Sequence, residues 1–200
     1  MIAPPTWFDR PAKIAALRAL AESLVGTPFF PNSEAPGRDG GMDCVHLINY
    51  IDRTLGLFGQ IEIPPQIMDH AQHSERSALI EAFETWPALK ARFARVTDCS
   101  PENILPGDHL CFLFGKAPHH GGLMLDRGEF LQTLRPEGAH LMLLRAAVRG
   151  WKILGQLAAV YRPLPDSLAP AATATAEPQP GLILPAEITQ PVATGVSFSP

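Results

Sequence analysis

Apolar residues recur at helical spacing twice in the first third of the chain. Between about 11 and 25, Ile14, Leu17, Ala21 and Leu24 return at i, i+3, i+7 and i+10, with Asp9 and Pro11 suited to the helix start and Gly26 to its stop. A second stripe of Leu47, Ile48, Ile51 and Leu55 closes at Gly56. It follows the Gly- and Pro-dense loop GTPFFPNSEAPGRDGGMD, so Cys44 stands where loop becomes helix. Residues 60–105 keep helical patterning, broken by Pro64, Pro65, Pro87 and Pro101, with Leu79, Ile80, Phe83, Leu89, Phe93 and Val96 as candidate buried positions. This predicts an inserted helical subregion. Past Pro106-Gly107 come short strand-like runs, DHLCFLF, GGLMLD, EFLQTL, AHLMLL and QLAAVYR, separated by GKAP, DRG and RPEG turns. Helices followed by antiparallel strands predict an α+β domain, with the N-terminal helices packed on the sheet.

The pattern ends near Leu164. From Pro165 to Pro200 there are three acids, no basic residue and seven of the chain's 21 prolines, a composition that cannot repay its ordering entropy by burial. The expected organisation is a folded domain over 1–164 and an extended or disordered Pro/Ala/Thr-rich tail over 165–200. The tail's last stretch, GLILPAEITQPVATGVSFSP, is more apolar than a solvated linker needs, which leaves open an extended segment that docks on a partner or another subunit.

Charge narrows the partners. Sixteen Lys+Arg against 20 Asp+Glu give a formal net charge of −4, and no basic run is present to neutralise a phosphate backbone, which excludes nucleic acid as the expected partner. The amino-terminal MIAPPTWFDRPAK lacks the basic start and apolar stretch of a signal peptide, and no window approaches a membrane span; synthesis in the cytoplasm without membrane insertion is expected. The three cysteines, Cys44, Cys99 and Cys111, form no CxxC pair, and structural roles are expected for the last two. Asp69, His70 and His73 with Cys99 or His109 assemble a zinc set on paper only, without a cysteine pair or HExxH. No metal or cofactor is expected, and no GxSxG, P-loop or dinucleotide fingerprint occurs. Trp86 and Trp151 read as packing anchors, and Arg162, beside Tyr161, as a structural pair-former.

Cys44 is the candidate nucleophile. At a helix start, unpaired amides and the positive end of the dipole favour thiolate, and they leave donors to hold an oxyanion. A lone cysteine is otherwise a small buried hydrophobe, so a base is needed. His119 and His120 lie between two strand-like runs, followed by glycines that remove bulk where a substrate approaches. Gln132 comes twelve residues after His120, across the DRG turn. In the simple hairpin register it lies near His120, and its carbonyl would accept the imidazole N–H and set the tautomer.

These segments, GTPFF…GRDGGMDCVHLINYI, PGDHLCFLFGKAPHHGGLMLDRGEFLQTL and WKILGQLAAVYRP, resemble in order and spacing the NlpC/P60 cysteine peptidases, over about Ala12 to Pro163. The family pattern runs GTPY…GG…DCSGLV, PGDLLFF, HVGIYLG-G-FIHA and a closing Tyr-Arg strand. The resemblance implies a papain-like α+β fold, with a helical insert between Cys44 and His120, and cleavage of amide bonds in peptidoglycan stem peptides, often next to D-glutamate and diaminopimelate. It implies Cys44 as nucleophile, His120 as general base and Gln132 as the orienting residue, with Asp43, Phe29, His46 and His119 in supporting positions. Four positions depart from the pattern: Phe29 stands where a tyrosine helps the oxyanion site, Val45-His46 replaces Ser-Gly, and Gln132 stands where His is frequent. The outline also resembles peptidases of tailed phages and gene-transfer agents, which implies association with a virion or tail particle and phage-tail-like partners for residues 165–200. The alternative is a weakly active or inactive hub or plug of such a tail; acyl transfer on lipids or small amides is a third reading.

Overall fold

A computed structural model of the chain describes residues 4–58, 63, 75–145 and 157–168. Pro64, Pro65, Asp69, His70, His73, Trp151 and the tail from 169 onward lie outside the described residues. The fold is α+β. Helix α1 (Pro11–Leu24) is followed by a two-stranded ribbon, β1 (Glu34–Ala35) and β2 (Gly41–Met42), and then by α2 (Cys44–Thr54). Two short helices, α3 (Ala78–Thr85) and α4 (Pro87–Arg92), lead into β3 (Phe93–Arg95). The remaining strands are β4 (His109–Phe114), β5 (Ala117–Met124), β6 (Glu129–Leu134), β7 (Gly138–Leu143) and β8 (Leu157–Pro163). They form an antiparallel sheet in the order β3-β8-β4-β5-β6-β7.

Side chains alternate across this sheet and divide the core in two. One face, with Cys111, Leu123, Leu131, Ala159 and Tyr161, packs against Leu17, Ala21 and Leu24 of α1 and Leu47, Ile48 and Ile51 of α2. Each large aliphatic side chain buried there contributes about 1.5–3 kcal/mol relative to exposure. The other face gathers Leu110, Phe112, Met124, Phe130 and Val160 with Val96, Ile104 and Leu144 from flanking segments.

Several expectations change in detail. Phe93 and Val96 are buried as expected, but Phe93 belongs to a strand, because β8 offers its free edge to Phe93–Arg95 through the pairs Phe93↔Pro163 and Arg95↔Tyr161. Leu79 and Ile80 are only half-buried, and their helix buries Ala82 and Phe83. Asp9 does not cap α1: Arg10 is the N-cap without a side-chain bond, and the Asp9 carboxylate pairs with Lys13 at 3.2 Å. His119 and His120 lie within strand β5 rather than in a loop, because the strand starts at Ala117.

Arg162 is a fully buried pair-former. Its Nε and Nη2 donate to Asp108 Oδ1 (2.9 Å) and Oδ2 (2.7 Å), and its remaining donors reach the carbonyls of Pro4 and Asn103. Cys111 is buried in β4, Cys99 donates to the Val96 carbonyl, and Trp86 packs half-buried against the core.

Candidate active site

The loop before α2 is anchored by one carboxylate. Asp43 is the N-cap in extended conformation: Oδ1 accepts from the amides of Val45 (3.1 Å) and His46 (2.9 Å), and Oδ2 accepts from the amide of Asn32 (2.7 Å). His46 turns back onto this group, Nδ1 to Oδ1 at 2.8 Å. That bond, with the charge of Asp43 and Glu34, raises the pKa of the imidazole against the opposing effect of burial. Two of the first amides of α2 are therefore spent on the cap.

Cys44 follows as the first residue of α2 and is half-buried. The amide N–H groups of Gly121, Cys44 and Val45 draw the thiol pKa down, but burial, aided by the charge of Asp43, pushes it up to about 12. The expected thiolate is thus a thiol in this structure: desolvation outweighs the helix amides, and the nearest full charge has the wrong sign. Gly121 makes the close approach possible. A Cβ there would lie 3.1 Å from Ile48 Cδ1 and 4.0 Å from Cys44 Cβ.

His120 is the neighbour of that glycine and projects from the opposite face of β5, level with Phe112 of β4, whose ring centroid is 6.0 Å away. Thiol and imidazole flank the strand at successive residues, and no hydrogen bond joins them. His120 is 4% exposed, and burial pushes its pKa down to about 4, with the Gln132 hydrogen bond working the other way. Its Nε2 lies 2.9 Å from Gln132 Oε1. The oxygen accepts, so Nε2 carries the proton and the lone pair rests on Nδ1. The β5–β6 pairs, Leu123↔Leu131 and Met124↔Phe130, bring the strand ends that carry His120 and Gln132 side by side. Gly122 leaves room for the aromatic floor under this pair, since a Cβ there would meet Phe130 at 2.8 Å.

The supporting positions are more dispersed. His119 is half-buried at the point where the β4–β5 register shifts, the extra residue of a bulge. Phe29 is half-buried, with the Arg135 guanidinium 5.3 Å from its ring centroid. One functional neighbour was not singled out from the sequence: His140 of β7, paired directly with Gln132, accepts from Gln132 Nε2 at 3.0 Å. The same hairpin arithmetic that related 120 to 132 across one turn relates 132 to 140 across the RPEG turn.

No protein-family model and no curated protein matches the chain. Among solved structures, the chain is similar to NlpC1 from Trichomonas vaginalis, at 15% identity and TM-score 0.49 over 78% of this chain and 46% of that one. It is also similar to an NLP/P60 family lipoprotein-like protein from Staphylococcus aureus, at 16% identity and TM-score 0.48 over 80% and 44%. A third is the NlpC/p60 domain of the peptidoglycan hydrolase SagA, at 17% identity and TM-score 0.41 over 66% and 90%. The matched part spans less than half the length of the first two.

Proposed function

We propose that this protein is a cysteine hydrolase of NlpC/P60 type that cleaves amide bonds in peptidoglycan stem peptides. The observation that carries the chemistry is the Gln132-oriented imidazole of His120, with Nδ1 left basic, on the residue next to the glycine amide that faces the Cys44 sulfur. The substrate class rests on the resemblance of the Cys44 and His120 segments to that family. In the reaction, the thiol proton passes by way of a water to His120 Nδ1, across β5 from the sulfur, as sulfur attacks the scissile carbonyl carbon, and the amides of Cys44 and Gly121 receive the oxyanion. Collapse expels the amine, which leaves with the proton from His120. Water, deprotonated by the same ring, then cleaves the thioester and restores the thiol. No cofactor enters. The neutral pair suits proton transfer during attack rather than a preformed ion pair.

The proposal extends to a particle-borne role, with residues 165–200 contacting phage-tail-like proteins and the chain reaching the cell wall on that particle. The second reading, a hub or plug of such a tail without activity, is favoured by the thiol held near 12 and by the cap's use of the Val45 and His46 amides. Incubating wild type and Cys44→Ala with purified peptidoglycan and analysing the released peptides separates the two. Peptides released by the wild type alone support the hydrolase. Equal release by both contradicts the thiol mechanism, and no release by either supports the hub.

A further inference from the structure

The hydrogen bonds around Gln132 continue one residue beyond the candidate triad, and their directions are forced from the far end. Gly138 has φ +72, and a Cβ there would lie 2.4 Å from the carbonyl oxygen of Thr27; the next residue, Ala139, donates to that same carbonyl at 2.7 Å. The Gly138 carbonyl is thereby held in place, and it accepts from His140 Nδ1 at 2.8 Å. A carbonyl only accepts, so Nδ1 carries the proton and Nε2 is left to offer a lone pair. The Gln132 atom 3.0 Å from that lone pair must be the amide nitrogen. Met142 Sδ, a second weak acceptor, lies 3.6 Å from the same nitrogen. With both acceptors on one side, Oε1 is left to His120 Nε2, which must donate.

We propose that His140 is a positioning residue that sets the tautomer of His120 through the amide of Gln132. An acceptor at position 140 turns the Gln132 NH2 toward itself, its oxygen toward His120, and the His120 lone pair onto Nδ1. A donor at position 140 reverses the amide, so that the NH2 faces His120 Nε2. The proton then moves to Nδ1, and the ring can no longer take a proton from that side. The role rests on the reading of His120 as general base, but the tautomer is measurable without substrate.

The test uses full-length protein with 15N-labelled histidine and reads the two ring nitrogens of His120 by NMR. Wild type and the acceptor-only His140→Glu are expected to show Nε2–H. The donor-only His140→Lys is expected to shift His120 to Nδ1–H and to lower kcat at least tenfold where the wild type is active. His140→Leu, with no hydrogen-bonding group, is expected to populate both forms and guards against misfolding of the charged variants. A pure Nε2–H ring in folded His140→Lys or His140→Leu overturns the proposal. Wild type that shows Nε2–H but releases no peptide from peptidoglycan overturns the hydrolase reading and leaves this one standing.

Discussion

Two imidazoles lie on neighbouring strands, both 4% exposed, on opposite faces of one sheet, and they are held by opposite kinds of partner. His109 of β4 faces α2, where its Nε2 lies 2.9 Å from Asp52 Oδ2, between Phe83 and Phe93 at centroid distances of 5.5 and 4.6 Å. The contact is close but out of line for a hydrogen bond, and burial raises the Asp52 pKa against the lowering effect of His109. His120 of β5 faces a neutral amide in good alignment. An acid set against an imidazole joins two elements, whereas an amide orients a ring without charging it. The His109 side thus clamps α2, the helix that begins at Cys44, to the sheet. The His120 side keeps a neutral base.

The largest expected difference is in stability. Removing one member of a buried acid–imidazole pair leaves the other uncompensated, so Asp52→Ala is expected to lose about 3–5 kcal/mol in urea unfolding. The double change Asp52→Leu with His109→Leu should recover most of that loss. A double variant as unstable as the single one would mean that the pair itself, not the stranded partner, holds α2.

Acid separates the two rings next. The folded pKa of His120, about 4, lies below the ordinary 6.5, so between these values the unfolded chain binds a proton that the folded chain refuses. Stability is kept above 6.5 and falls with pH down to about 4, by about 3 kcal/mol at ~1.4 kcal/mol per unit. Urea midpoints at pH 7, 5.5 and 4 should show this loss in wild type and a flatter profile in His120→Phe. Superimposable profiles would show that His120 is not the buried neutral ring described above.

A smaller effect sits at the cap. Asp43→Asn keeps a side-chain oxygen for the amides of Val45 and His46 but loses the acceptor of the Asn32 amide and removes the charge beside the thiol, so stability should fall by about 1–2 kcal/mol. Cys44 alkylation at neutral pH should rise several-fold, because Asp43 is the second cause of the raised thiol pKa. An unchanged rate would assign the raised pKa to burial alone.

Much of this arrangement is legible in the residues. The stripes of α1 and α2, the alternating runs of β4 to β8 and the Gly26 and Gly56 stops are local signals, and the hairpin spacing that brought His120 to Gln132 is short-range arithmetic. The helical patterning extends over β3 because Phe93 and Val96 carry burial but not conformation, and only the edge of β8 decides the latter. The thiolate expected at Cys44 follows from the helix end, a local feature, whereas the burial that opposes it comes from packing against β5, whose Gly121 lies over seventy positions away. The Asp52–His109 clamp joins α2 to β4 across more than fifty positions, with no motif to mark it.

The central claim is that Cys44 and His120 act together across β5. It is tested most directly by the pH dependence of iodoacetamide labelling at Cys44, read by peptide mass spectrometry in wild type and His120→Ala. Slow labelling at pH 7 relative to a free thiol is expected in the wild type, and a rate lower by at least tenfold across the pH range in His120→Ala. Identical pH–rate profiles in the two proteins would contradict it.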